Sequence, residues 1–191
     1  MTDPAADTLD ASMGALDSVR RLAPGRAITI RPARDGDARR LAQIYNFYIE
    51  QTAVTFDTEP QTAAQRREWM SHYAETGRHR LLVAERDGTV LGYTASSRFH
   101  QRPAYDTTVE TTIVCAPEAV GLGLGRRLYD ALFEAIRDED VHLLVALVTM
   151  PNAGSAALHE RFGYEQAMVL PEAGRKFGRW WDVAWFVRRF P

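Results

Sequence analysis

The sequence has a single cysteine, Cys115, so no intramolecular disulfide can staple the fold, and a reducing compartment suits the chain. It has no basic run. Its 23 lysines and arginines face 25 aspartates and glutamates, a balance that offers no electrostatic footprint for nucleic acid or an anionic membrane surface. No apolar stretch approaches the roughly 18 to 20 residues that a spanning helix needs, and the N-terminus lacks a basic-then-apolar leader pattern. His72, His79, His100 and His142 have no ligand spacing to a cysteine or an acid cluster, so no metal is expected. Neither an internal repeat nor a low-complexity tract is present. Together these absences place the chain in the cytoplasm, without nucleic acid or membrane as partner.

What is present is enough for one domain: 191 residues with 46% apolar content fill one core and are short for two. Residues 1–26, rich in alanine and aspartate and weakly periodic, read as an N-terminal extension with at most a short helix near 16–22. Residues 27–191 read as the domain. Ile28 and Ile30 alternate with polar neighbours in a first strand, and Asp35 or Asp37 can cap a helix with Leu41, Ile44, Tyr45, Tyr48 and Ile49 on its apolar face. Residues 52–60 have no helical period, and Thr62 with Gln65 forms a capping-box start for a second helix through Trp69 and Tyr73. Asp87-Gly88 between extended segments predicts a hairpin of 81–85 with 90–97, followed by a strand over 107–115. The apolar run 141–148 reads as a central strand. Asn152 then caps a helix that Gly163 closes, and a last hairpin pairs 165–170 with 180–187 around a loop at 171–178.

The chemistry-bearing stretch is a strand with one acid, Glu110, running into Gly121-Leu122-Gly123-Leu124-Gly125 and then a helix. Leu128, Ala131, Leu132, Ala135 and Ile136 mark that helix at i, i+3, i+4, i+7 and i+8. Glycines at its N-terminus let backbone N–H groups approach and point at an anion, a phosphate above all. Arg126 stands where a dinucleotide fingerprint needs its third glycine, and no Gly-Lys-Ser/Thr follows, so the dinucleotide and P-loop readings are disfavoured. Cys115, between apolar neighbours and with no base beside it, reads as a buried thiol rather than a nucleophile.

The strings TFDTEP (55–60), RPAYDTTVE (102–110), GLGLGRRL (121–128), ALHERFGY (157–164) and GRKFGRWWDV (174–183) resemble the GNAT superfamily of acetyl-CoA-dependent N-acetyltransferases. Within it they resemble the phosphinothricin and methionine sulfoximine/sulfone N-acetyltransferases. The resemblance implies an α/β (α+β) fold, a mixed and mostly antiparallel sheet of about seven strands flanked by about four helices. It implies acetyl-CoA as cosubstrate and direct transfer, in a ternary complex, to the α-amino group of a small amino-acid analogue. The pyrophosphate then sits on Gly121, Leu122, Gly123, Leu124, Gly125 and Arg126. The pantetheine arm runs along Ile113, Val114 and Cys115, and Asn152 and Ser155 match positions that contact the pantetheine or the adenosine side. Where the family usually opens its glycine motif with arginine or glutamine this chain has Val120, leaving Arg126 and Arg127 to supply charge. The resemblance also implies a homodimer, with the loop 175–180 at its interface.

Glu110 is the expected general base, since acetyl transfer needs a neutral amine. His159, at a position where many relatives carry a tyrosine acid, is expected to protonate the leaving thiolate or to act through water. Arg102 suits a substrate carboxylate because its guanidinium forms a two-point fork. Tyr105, Thr111 and Thr112 are further pocket candidates, and Phe56 fits packing and a pocket wall equally. The alternatives are an acetyltransferase for protein N-termini or other amines, and a non-catalytic acetyl-CoA sensor suggested by Val120.

Overall fold

The computed structural model describes residues 27–191; the expected extension over 1–26, with its short helix, lies outside the described residues. Seven strands form one sheet in the order β1-β2-β3-β4-β5-β7-β6. They are β1 (Thr29–Pro32), β2 (Leu81–Arg86), β3 (Thr89–Arg98), β4 (Thr108–Cys115), β5 (Leu143–Met150), β6 (Glu165–Lys176) and β7 (Arg179–Arg189). Every pairing is antiparallel except β4 with β5. The described residues hold four α-helices: α1 (Ala38–Gln51), α2 (Ala63–Met70), α3 (Leu124–Ala135) and α4 (Ala153–Arg161). This is the expected mixed architecture.

Local chemistry explains most boundaries. Asp87 and Gly88 both take positive φ in the β2–β3 turn, the geometry that matches the twist of the flanking strands. Thr62 and Gln65 close the capping box of α2, with Gln65 N donating to Thr62 Oγ1 at 3.2 Å and Thr62 N donating to Gln65 Oε1 at 2.8 Å. Ahead of α1 the outcome differs from expectation. Asp35–Asp37 form a 3-10 turn, and the Asp37 carboxylate caps that turn through Arg34 N at 2.8 Å while the Arg31 guanidinium grips it at 2.7 and 2.9 Å. α2 stops at Met70, leaving Tyr73 in the following turn.

The C-terminal hairpin is longer than its sequence suggests. Residues 171–176 belong to β6, and the turn is Phe177-Gly178 alone, both at positive φ. A register shift between Leu170 and Gly174 absorbs extra residues. β6 is an edge strand, so Pro171 need not donate to a neighbour.

α1 and α2 cover one face of β1–β4, packing Leu41, Ile44, Tyr48 and Met70 against Val83, Tyr93 and Ala95. α3 and α4 lie on the other face, where Leu82, Tyr129 and Leu132 meet Leu158 and Phe162. The core continues on that side of β5 and β7 through Leu144, Ala146, Val148, Ala184 and Phe186. On the opposite side Leu147 and Met168, both in register with Trp185, stand exposed together with Leu170. No helix of the described residues is long and apolar enough to cross a membrane.

Candidate functional site

The sheet splits at the one parallel pairing among the described residues. β4 and β5 are in register from Thr108 opposite Leu143 to Glu110 opposite Val145, and there the pairing ends. Beyond that point β4 pairs only with β3 and β5 only with β7. Two strand edges without a strand partner on the facing side therefore look at each other across the split, over 111–115 and over 146–150. Such edges take an extended chain that carries amides of its own. The outer end of β4 is held in place by Tyr48, whose hydroxyl donates to the Cys115 carbonyl at 2.6 Å.

The glycine turn stands just past that open end. Gly121 and Gly123 have φ of 87° and 67°, which only glycine adopts without strain. Gly123 is the N-cap of α3 and supplies no side-chain cap, so the first-turn N–H groups stay available for an anion and lie at the positive end of the helix dipole. Gly125 serves packing instead, because a Cβ there would stand 3.0 Å from Leu158 Cδ2. Leu122 and Arg126 are exposed, Leu124 is buried, and Arg126 pairs with Asp130 at 3.6 Å. Arg127 Nη2 donates to the Ile28 carbonyl at 2.6 Å, so its cation is tied to the segment before β1. Asn152 caps α4 by accepting from Ser155 N at 3.0 Å, which places both residues at a second helix start near the Met150 end of the split. The two edges, the open helix start and Asn152 fit an anion-anchored chain bearing amides.

Glu110 marks the apex. It is half-buried, and its carboxylate has no hydrogen bond or ion pair among the described residues. Burial pushes its pKa above the usual carboxylate range, since the charged form loses hydration without gaining a partner. Ser97, its partner across β3, donates to the Glu110 carbonyl at 3.3 Å. Tyr73 approaches from the same side; burial raises its phenol, while a Ser97 hydrogen bond and Arg66 lower it and the Glu110 charge raises it. Deeper on this face Arg66, 3% exposed, stacks 3.7 Å from the Trp69 ring centre and hydrogen-bonds Tyr93.

The expected substrate residues divide between the two sides of the sheet. Thr112 shares the Glu110 face and is half-buried. Arg102 and Tyr105 lie exposed on the loop after β3; Phe99 of that loop packs at 6.0 Å on Trp185 and at 5.8 Å on Tyr105. Because Trp185 stands in register with Leu147, two residues along β5 from Val145, this loop lies on the Glu110 side. Phe56 rests on the backbone of Gly174, so closely that a Cβ at 174 would stand 2.3 Å from its ring. Lys176, 5% exposed, donates from Nζ to the Thr55 carbonyl at 2.7 Å and ties that loop to the C-terminal hairpin.

Thr111 and His159 lie elsewhere. Thr111, 3% exposed, faces α3 and α4 and hydrogen-bonds Tyr164, so its side chain stands on the face opposite Glu110, at the inner end of the split. His159, also 3% exposed, sits on that same far side with Tyr129 at Nε2 (2.8 Å) and the Ser155 carbonyl at Nδ1 (2.7 Å). Burial lowers its pKa, and with both nitrogens engaged neither is free to reach a leaving thiolate or an amine in the split. The correction to the expected acid role is physical: strand alternation puts residue 111 and the groups around it on the opposite face from residue 110. Burial pushes the Cys115 thiol up to about 12, as expected of an inert thiol. Sequence reasoning missed Ser97, Tyr73, Tyr129 and Tyr164, whose relevance comes from register and packing; nothing in their local sequence marks them. No cluster of metal-ligating residues occurs among the described residues.

Residues 41–164 match the acetyltransferase (GNAT) family. Among curated relatives, a phosphinothricin N-acetyltransferase of Streptomyces coelicolor is 46% identical over 168 residues, covering 86% of this chain and 98% of its own. An L-methionine sulfoximine/L-methionine sulfone acetyltransferase of Pseudomonas aeruginosa is 33% identical over 155 residues, covering 81% and 90%. A GNAT superfamily phosphinothricin acetyltransferase from Sinorhizobium meliloti, solved in complex with AcCoA, superposes with a TM-score of 0.81 at 30% identity, covering 86% of this chain and 89% of that one.

Proposed function

The chain belongs to the acetyltransferase (GNAT) family, and from that premise we propose that this acetyl-CoA-dependent N-acetyltransferase acts on the α-amino group of a small amino-acid analogue of the phosphinothricin, methionine sulfoximine or methionine sulfone type. The observation that carries the reading is the split sheet with an unpaired, half-buried carboxylate at its apex.

Acetyl-CoA supplies the activated thioester. The N–H groups left free at the start of α3, within the Gly121 to Arg126 turn, bind its pyrophosphate, and the edge of Ile113, Val114 and Cys115 pairs with its amide-bearing arm, with Asn152 and Ser155 on the far side. Glu110 takes the proton of the acceptor ammonium, directly or through one water, and burial suits it to the task by bringing its pKa closer to the working pH. The freed amine bonds to the acetyl carbon as the carbon–sulfur bond breaks, both reactants being held at once, and the second proton shed by the nitrogen ends on the departing thiolate, which leaves as the CoA thiol. Arg102 takes the acceptor carboxylate, while Phe56, Tyr105 and Thr112 border the acceptor.

Two chains pair through the exposed strip of Leu147, Met168 and Leu170 and the hairpin end carrying Phe177 and Trp180, 53% and 55% exposed, because so much exposed apolar surface is rare on a monomer. The enzyme works in the cytoplasm.

Purified protein mixed with acetyl-CoA and methionine sulfone, methionine sulfoximine or phosphinothricin is expected to release thiol. No release above background with any amino-acid analogue overturns the reading, and faster turnover of peptide N-termini would redirect it to protein acetylation.

A further inference from the structure

The first rung of the split beyond Glu110 and Val145 is made by side chains. Thr111 Oγ1 donates to the Val145 carbonyl at 3.3 Å and accepts from the Tyr164 hydroxyl at 2.7 Å. Behind this rung Tyr129 and His159 share a 2.8 Å bond, and His159 Nδ1 lies 2.7 Å from the Ser155 carbonyl. A carbonyl only accepts, so Nδ1 carries the proton and Nε2 accepts from the Tyr129 hydroxyl. Thr111, Tyr164 and His159 are 3% exposed and Tyr129 is 0% exposed, with the His159 ring stacked on Phe186 at 5.5 Å. A satisfied network inside a close-packed core does not yield easily, because moving one member orphans its neighbours.

A chain anchored at the glycine turn enters the split at Cys115 and ends near Thr111, four strand residues or about 13 Å further in. The acyl group is the terminus of that chain. We propose that the Thr111–Tyr164 rung, braced by Tyr129 and His159, is a stop that admits an acetyl group and turns away longer acyl groups. The proposal rests on the acetyltransferase reading. Thr111 and Tyr164 determine acyl size by contact, and His159 is a positioning residue that acts through Tyr129.

The test is calorimetric binding of acetyl-, propionyl- and butyryl-CoA without acceptor, alongside kcat/KM for the same three with acceptor. Affinity and kcat/KM are each expected to fall about tenfold or more per added methylene. Thr111→Ser keeps the hydroxyl and removes one methyl, and Tyr164→Phe removes the hydroxyl that fixes the rung. Each is expected to shrink the acetyl-to-propionyl ratio at least about fivefold. His159→Gln still offers Tyr129 an acceptor and should keep both the ratio and the pH profile of kcat, whereas His159→Leu should lower the ratio. Equal wild-type affinity for acetyl- and propionyl-CoA overturns the proposal, as does an unchanged ratio in both Thr111→Ser and Tyr164→Phe. Failure of the acetyltransferase reading looks different: no acceptor is turned over, while the binding ratios still report on the stop.

Discussion

At the scale of single residues, Glu110 carries opposite demands. Burial raises its pKa, so the folded state holds that proton more tightly than the unfolded chain, and stability falls as pH rises from the unfolded carboxylate value to the folded one. Glu110→Gln is therefore expected to lower kcat about 10²- to 10⁴-fold and to raise the melting temperature at pH 7.5, with little gain at pH 4. A variant inactive but no more stable at pH 7.5 would mean that the carboxylate is not penalised by its site. His159 has the opposite sign. Its pKa is lowered by burial, so the unfolded chain takes up a proton that the folded chain refuses, and stability declines as pH falls below the ordinary histidine value near 6.5. His159→Gln should flatten the loss of melting temperature between pH 7.5 and 5.5; an unaltered slope would place the acid sensitivity in other groups.

At the scale of elements, the C-terminal hairpin supports the loop between α1 and α2. Lys176 holds Thr55 by its carbonyl, Trp181 Nε1 donates to the Lys176 carbonyl at 3.0 Å, and Phe56 lies on Gly174. Gly174→Ala puts a methyl into the Phe56 ring, so the loop must shift. We expect a loss of about 1 to 3 kcal/mol in stability by denaturant unfolding and a raised KM for the acceptor, with the Kd for acetyl-CoA unchanged. An unchanged acceptor KM would remove Phe56 from the acceptor wall. The elements themselves were largely legible: the Asp-Gly turn, the Thr62/Gln65 capping box and the amphipathic face of α3 act over a few residues, and local chemistry decides them. The extension of β6 through 171–176 was not legible, because proline and glycine there read as loop; only the edge position and a register shift accommodate them in a strand.

At the scale of the whole molecule, the exposed strip on β5 and β6 and the hairpin turn bear on assembly. Sedimentation is expected to find a dimer that Leu170→Asp converts to monomer, through a charge placed on an apolar surface. A wild-type monomer at micromolar concentration would leave that strip unexplained by self-association.

The order of strands and helices, the glycine turn at a helix start and the acid on the preceding strand follow from the sequence by itself, since each rests on spacing, turn chemistry or hydrogen-bonding capacity within one short segment. Where β4 parts from β5, which face each side chain of β4 takes, and the enclosure of His159 by Tyr129 and Ser155 were decided only by the tertiary structure. Those outcomes depend on strand register and on packing between α3, α4 and the sheet. Pairings between residues far apart in the chain leave no periodic trace in either partner, and so Glu110 and His159, both marked by the sequence, come to stand on opposite faces of one sheet.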